Sequence, residues 1–222
     1  MENLISLFFS YADFLGLFIL MSILLFKYNH LKEGSKKWIL IFYLIFFFST
    51  SVTAYLSYKG FENIKIYNLL PFLLSIPLHF FFNKIHVGNL LKNANRVLFF
   101  FIILYGILNF PQLFKDKLMP TSYLIFSFII LINSVGYLNE ELTLMRSENV
   151  FYKIEFWFAS CLFFYATVCV IVWSLFSYLA ENESAQTKFL HPTFLWIYGH
   201  NSVLFIQSLV FSISVLQVTN KK

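Results

Sequence analysis

Seven apolar stretches follow one another along the chain, and each is long enough to cross a membrane as a helix. They cover residues 4–26, 38–58, 66–83, 97–114, 121–145, 151–180 and 193–217. A helix rises about 1.5 Å per residue, so roughly 20 residues span the ~30 Å hydrocarbon core of a bilayer. The stretches lack the alternation of apolar and polar residues that is typical of an outer-membrane barrel. The sequence therefore predicts an all-α, polytopic integral membrane protein, with a single seven-helix bundle over residues 1–222.

The composition leaves little room for anything outside this bundle. Of the 222 residues, 59% are hydrophobic and 12% are charged, which is not the balance of a soluble domain. Seven crossings of roughly 22 residues leave about 68 residues for tails and loops, too few for a kinase, nuclease or nucleotide-binding domain. The net charge of +5 is spread over short loops, so we expect the lipid bilayer, and not a nucleic acid, as the partner of this chain.

The distribution of Lys and Arg predicts how the bundle is oriented. Short loops that are rich in these residues stay on the cytoplasmic side of a membrane. The loops after the first, third and fifth stretches, together with the C-terminus, contain eleven Lys and Arg residues, and the opposite side contains five. We therefore predict an N-terminus outside and a C-terminus inside the cell, in a multi-pass protein of the cytoplasmic (inner) membrane.

Polar groups at membrane depth are energetically costly and often mark a functional site. With the predicted orientation, Asp13 lies about 13 Å and His200 about 10 Å below the outer ends of their helices, at 1.5 Å per residue. The two side chains therefore lie at similar depths, and we expect them to meet. The predicted ligand-binding residues are polar and fall in the outer half of their helices: Asp13, Tyr67, Asn68, Asn109, His200 and Asn201.

The inner half of the bundle, by contrast, is predicted to be apolar. Residues 14–26, 38–48 and 97–104 contain few hydrogen-bonding groups. A pocket that opens outward above an apolar inner half is typical of a receptor and not of a pore. Lys153 and Glu155 lie near the inner end of the sixth helix beside Trp157, where snorkelling and an aromatic belt account for them without a site. The alternative is that the outer polar residues serve only to form hydrogen bonds between helices, worth under about 1 kcal/mol each.

The histidines do not have the spacing of a metal or haem site. His191 and His200 are nine residues apart, about 900° around a helix at ~100° per residue, which places them on opposite faces. His79 is predicted about 20 Å below the outer end of its helix, whereas His200 is predicted at about 10 Å. We therefore expect no metal and no cofactor. An intramembrane lipid-modifying enzyme remains a third functional hypothesis.

A small-solute membrane transporter is the second hypothesis. The pair Pro111–Gln112 invites comparison with the seven-helix transporters of the PQ-loop type, which are built from two three-helix repeats. The pair occurs once, and no internal repeat is visible in the sequence.

The last third of the chain contains short aromatic motifs that point to a family. Phe156–Trp157 is followed by the run Phe163, Phe164 and Tyr165, and the last stretch contains Leu195–Trp196 and His200–Asn201, with Tyr67–Asn68 in the third. In these motifs the chain resembles small seven-helix membrane proteins of Bacteroidetes that are often encoded beside sensor histidine kinases. It is also similar to the seven-helix input modules of bacterial receptors. Where such relatives tend to carry an acidic residue shortly after the Tyr–Asn pair, this chain has Pro71, so the role of that acid does not carry over.

The resemblance implies a sensory membrane protein without its own output domain. The leading hypothesis is therefore a receptor-like sensor that binds a small ligand in an outward-facing pocket. A shift of its helices would then act on a separate cytoplasmic partner, such as a histidine kinase. A homo-oligomer is compatible with this hypothesis.

Overall fold

The structure is a computed structural model that describes residues 8–115, 117–143, 149–182 and 191–220. In these residues the chain is helical and contains no strand. Short helical turns occur at Tyr28–Leu31, Phe110–Leu113 and Val150–Tyr152. The last helix is preceded by a short helical turn, Pro192–Phe194, and by a π-helical turn, Leu195–His200. The main helices are α1 (Ala12–Phe26), α2 (Lys36–Tyr58), α3 (Ile64–Ile85), α4 (Asn89–Leu108), α5 (Pro120–Thr143), α6 (Ile154–Glu181) and α7 (Asn201–Asn220).

Among the described residues, six helices are long and apolar enough to cross a membrane. They are α2 to α6 and the continuous helical stretch Pro192–Thr219. The first helix, α1, is apolar but has 15 residues, which cover about 23 Å at 1.5 Å per residue. Residues 4–7 of the predicted first span and 144–145 of the predicted fifth lie outside the described residues. The prediction of an all-α membrane protein is confirmed, whereas the seventh span and the orientation of the termini stay predictions.

Large apolar side chains cover the outside of the bundle. On α4 alone, Leu90, Val97, Phe100, Ile107 and Leu108 are each 66–82% exposed. Soluble proteins rarely expose apolar patches of this extent, whereas lipid is a suitable surrounding for them. The exposed surface and the six apolar helices together are the pattern of a multi-pass membrane protein.

Six of the described main helices form a ring in which each packs against its neighbour, in the order α1, α2, α3, α5, α6 and α7, and α7 closes back on α1. Direct packing of α3 on α5 leaves α4 outside this ring. Accordingly, 17% of the apolar window of α4 is buried, against 39–56% in the other five long helices. We call the end of the bundle that holds the starts of α1 and α7 the N-face, and the end that holds their last turns the C-face.

The contact between α1 and α7 depends on Gly16. A Cβ atom at this position would lie 3.0 Å from the Cα and 3.3 Å from the carbonyl oxygen of Phe205. Backbone atoms cannot rotate away as a side chain can. Small residues at such crossings let two membrane helices approach closely.

We expect Gly16→Leu to lower the free energy of unfolding by about 1–3 kcal/mol, because the added side chain forces α1 away from α7. Thermal unfolding of the purified protein in detergent measures this effect. Ser22→Leu is the matched control, since Ser22 is exposed on the same helix and, within the described part of the chain, its hydroxyl bonds to the carbonyl of Phe18. Equal melting temperatures for the two variants would contradict the close contact.

The middle of the bundle is filled by aromatic rings. Tyr43 is fully buried and its hydroxyl oxygen accepts a hydrogen bond from Gln207 Nε2 at 2.6 Å. We call the set of buried rings around it the aromatic plug: Phe42, Tyr43, Phe46, Phe81, Phe158 and Phe211. Its members come from α2, α3, α6 and α7, and it separates the two faces.

The two prolines of α3 do not end this helix, and at Pro71 another group uses the hydrogen-bonding capacity that the proline frees. Pro71 and Pro77 both lie inside the continuous helix Ile64–Ile85. Pro71 has no N–H to donate to the carbonyl of Tyr67, four residues earlier. That carbonyl instead accepts a hydrogen bond from the hydroxyl of Tyr123 on α5 at 2.8 Å. The bond ties the first turns of α3 to α5 and positions Tyr67.

Candidate functional site

A cavity of about 220 Å³ opens on the N-face, and we call it the N-face cavity. It lies where the first turns of α1 and α3, the end of α2 and the π-helical turn meet. Asp13, Tyr67 and Asn201, three of the six predicted site residues, line it together. The other lining residues are mostly aromatic or small and polar: Ser10, Tyr11, Phe14, Thr50, Ala54, Ser57 and Trp196.

Asp13 contributes the only carboxylate among the described residues that line the N-face cavity. Its side chain is 7% exposed, and Oδ1 accepts a hydrogen bond from the N–H of Phe14 at 2.8 Å. Among the described residues, no Lys, Arg or His forms an ion pair with it. A carboxylate that is largely removed from water without a cation is costly to keep charged.

Two aromatic rings form a corner of the cavity. The rings of Tyr67 and Trp196 are 4.8 Å apart between centroids and nearly perpendicular, at 81°. Trp196 reaches this place because the chain is π-helical from Leu195 to His200. In an α-helix of 3.6 residues per turn, Trp196 and Asn201 would point in different directions. The wider turn of a π-helix, with its i to i+5 hydrogen bonds, brings residues five apart onto the same side, and both line the cavity.

Asn201 lies between the cavity and His200. Its Nδ2 donates to the carbonyl of Phe9 at 3.2 Å, which ties the start of α7 to the chain before α1. His200 is buried behind this residue, with Nε2 3.0 Å from the hydroxyl of Tyr165 and Nδ1 3.4 Å from Asn201 Oδ1. No hydrogen bond or ion pair in the described part of the chain joins His200 to Asp13, the pair that similar depths had suggested.

The two remaining predicted residues, Asn68 and Asn109, do not line the cavity. Asn68 is fully buried, and its amide holds the connection between α4 and α5. Its Nδ2 donates to the carbonyls of Leu113 and Lys117, and its Oδ1 accepts from the N–H of Met119 at 2.9 Å. The Asn109 side chain bonds to the carbonyl of Tyr105 within its own helix end, at 2.9 Å.

Trp196 is the main lining residue that the site prediction omitted. The sequence placed it next to Leu195 in an aromatic motif, but a standard helix would turn it away from Asn201. Phe14 was assigned to the apolar inner half, although the structure places it in the lining. Nothing in the linear sequence marks the π-helical turn, so only the structure reveals the aromatic corner.

A second cavity, of about 360 Å³, opens on the C-face, and we call it the C-face cavity. Lys153 Nζ lies 2.6 Å from Glu141 Oε2, and the hydroxyl of Ser35 donates to Glu155 Oε1 at 2.8 Å. The cavity is lined by charged, polar and apolar groups: His30, Lys36, Ile85, Tyr137, Glu141, Tyr152, Lys153, Ile154, Glu155, Val218 and Thr219.

The C-face cavity differs from the expected apolar inner half. Of the apolar stretches of the sequence, 38–48 supplies Phe42, Tyr43 and Phe46 to the aromatic plug. The polar groups of the C-face come instead from the first and last turns of the helices, which are far apart in sequence and meet only in the folded bundle. Lys153 and Glu155, assigned to the membrane interface, both line this cavity.

The described residues contain no group of three or more His, Cys, Asp or Glu side chains arranged to hold a metal ion. No protein-family model, no curated protein and no solved structure matches this chain.

Proposed function

We propose that this protein is a receptor-like membrane sensor that binds a small ligand in the N-face cavity and acts on a separate cytoplasmic partner. The observation that carries this proposal is the N-face cavity itself. A buried carboxylate, an aromatic corner and a side-chain amide converge there on about 220 Å³ of space. A few polar groups that converge on one concave space fix the orientation of a small molecule bound there.

The helices supply a physical connection between this site and the C-face. Thr50 on α2 and Asn201 on α7 line the N-face cavity, whereas Lys36 on α2 and Thr219 on α7 line the C-face cavity. A ligand that binds one packing of these helices more tightly than another shifts the population of packings. Because a helix is stiff, a change at one end of α2 or α7 alters the shape of the other face, where a cytoplasmic partner such as a histidine kinase would read it.

A small-solute transporter is the second candidate, and the C-face cavity is the observation that favours it. Two cavities on opposite faces, with the aromatic plug between them, are compatible with alternating access. A transporter moves solute by itself, whereas a sensor does not. Saturable accumulation of a small solute in proteoliposomes that contain only the purified protein would replace the receptor proposal with this one.

The proposed orientation predicts which cavity is reached from outside the cell. We expect Ser57→Cys to react with a membrane-impermeant maleimide in intact cells, and His30→Cys to react only after the cells are permeabilised. Both positions are exposed, and they line the N-face and C-face cavities respectively.

The unchanged protein sets the background of this assay, because its two cysteines, Cys161 and Cys169, are buried. Labelling of His30→Cys but not of Ser57→Cys in intact cells would show the opposite orientation. That result would overturn an outward-facing ligand site.

A further inference from the structure

We infer that the N-face cavity binds a small organic cation, with its ammonium group placed between Asp13 and the surrounding aromatic rings. This inference rests on the proposed function, because it names the ligand class of the same cavity. It starts from Asp13, whose side chain is more than nine-tenths buried and lines the cavity without a described cationic partner. A bound cation would supply the missing partner.

The aromatic lining favours the same ligand chemistry. Tyr11, Phe14, Tyr67 and Trp196 all border the cavity, and Tyr67 and Trp196 meet at 81°. The faces of aromatic rings attract a cation such as a quaternary ammonium group, with Trp the strongest of the three ring types. Two perpendicular rings beside a carboxylate therefore form three sides of an enclosure for one positive group.

The remaining groups exclude an anionic ligand and set the size of the molecule. Among the described residues, the lining contains no Lys, Arg or His, so a phosphate or carboxylate would meet the charge of Asp13 without compensation from them. Thr50, Ser57 and Asn201 provide neutral polar groups for a hydroxyl at the other end of the ligand. A cavity of about 220 Å³ has room for a compound of the size of choline.

Binding of choline to the purified full-length protein in nanodiscs tests this inference. We expect radiolabelled choline to bind saturably, and tetramethylammonium to compete with it. The matched ligand control is the neutral carbon analogue of choline, in which a tert-butyl group replaces the trimethylammonium group. It has the same shape, so that only the charge differs, and we expect it to compete at least about tenfold less well.

Four variants separate the N-face cavity from other carboxylates. Asp13→Asn keeps the shape of the side chain and is expected to weaken choline binding at least about tenfold. Trp196→Leu is expected to weaken it several-fold, and Trp196→Phe less, because phenylalanine keeps a ring face. Glu155→Gln, in the C-face cavity, is expected to leave binding unchanged.

Three results would each overturn the inference. Equal competition by the neutral analogue, unchanged binding in Asp13→Asn, or no binding of either ammonium probe would each reject an organic cation as the ligand class. If Asp13→Asn does not fold, the comparison of choline with its neutral analogue and the two Trp196 variants decide the question. If choline binding fails but Ser57→Cys is labelled from outside the cell, the organic cation is rejected and the outward-facing site stands. If Ser57→Cys is not labelled from outside, the proposed function itself is rejected.

Discussion

Phe158→Ala is expected to lower the free energy of unfolding by about 3 kcal/mol, because it removes the ring on which three other helices pack. Phe158 on α6 is fully buried. Its ring centroid lies 4.8 Å from that of Phe81, 5.6 Å from those of Phe42 and Phe211, and 5.7 Å from that of Tyr43. These rings come from α2, α3 and α7, so no single helix can move to fill the space.

The size of this effect comes from packing. In a bilayer the helices stay in an apolar medium when they separate, so the cost of Phe158→Ala is mainly lost van der Waals contact and the remaining cavity. We therefore expect the lower end of the range known for buried phenylalanine. Thermal or detergent-induced unfolding of the purified protein measures it.

Phe163→Ala is the matched control, since it removes the same ring from the same helix. Phe163 is 38% exposed and is expected to cost well under half as much. Equal losses of stability in Phe158→Ala and Phe163→Ala would mean that the aromatic plug does not hold α6 to its neighbours.

Glu140→Ala is expected to release the connection between α3 and α4, at a cost of about 2 kcal/mol. The Glu140 carboxylate accepts hydrogen bonds from the N–H of Gly88 at 2.7 Å and of Val87 at 3.2 Å, and Oε2 lies 3.2 Å from His86 Nδ1. Gly88 precedes the first turn of α4, where the helix dipole also stabilises a negative group. Without the carboxylate, these donors lose their partner.

Hydrogen–deuterium exchange at residues 86–90 measures this release, and we expect it to become faster in Glu140→Ala. Glu140→Gln keeps one oxygen acceptor but loses the charge, and is expected to lie between Glu140→Ala and the unchanged protein. Asn139→Ala, at the exposed neighbouring position, serves as the control. Unchanged exchange at Val87 and Gly88 in Glu140→Ala would contradict this function of the carboxylate.

The sequence predicted part of the candidate site because depth in a membrane follows directly from position in a helix. Asp13, Tyr67 and Asn201 were placed in the same half of the bundle, and they line one cavity. Depth alone says nothing about direction around a helix axis. The sequence places Asp13 and His200 at similar depths, but in the structure His200 bonds to Tyr165 and Asn201.

Which apolar residues pack inside the bundle could not be predicted. In a soluble helix, polar residues mark the outer face, but in a membrane helix the face toward lipid is apolar as well. Phe158 and Phe163 are equivalent in the sequence, although the first is fully buried and the second is 38% exposed. For the same reason, the sequence does not predict that α4 lies outside the ring.

The sequence by itself determined that this is a helical membrane protein, and where most of its helices lie, because hydropathy and helix length are local properties that lipid selects directly. The tertiary structure decided the two cavities, the aromatic plug and the corner formed by Tyr67 and Trp196. These features arise where helices distant in sequence meet, and their geometry depends on the rotation of each helix about its axis, which an apolar sequence leaves undetermined.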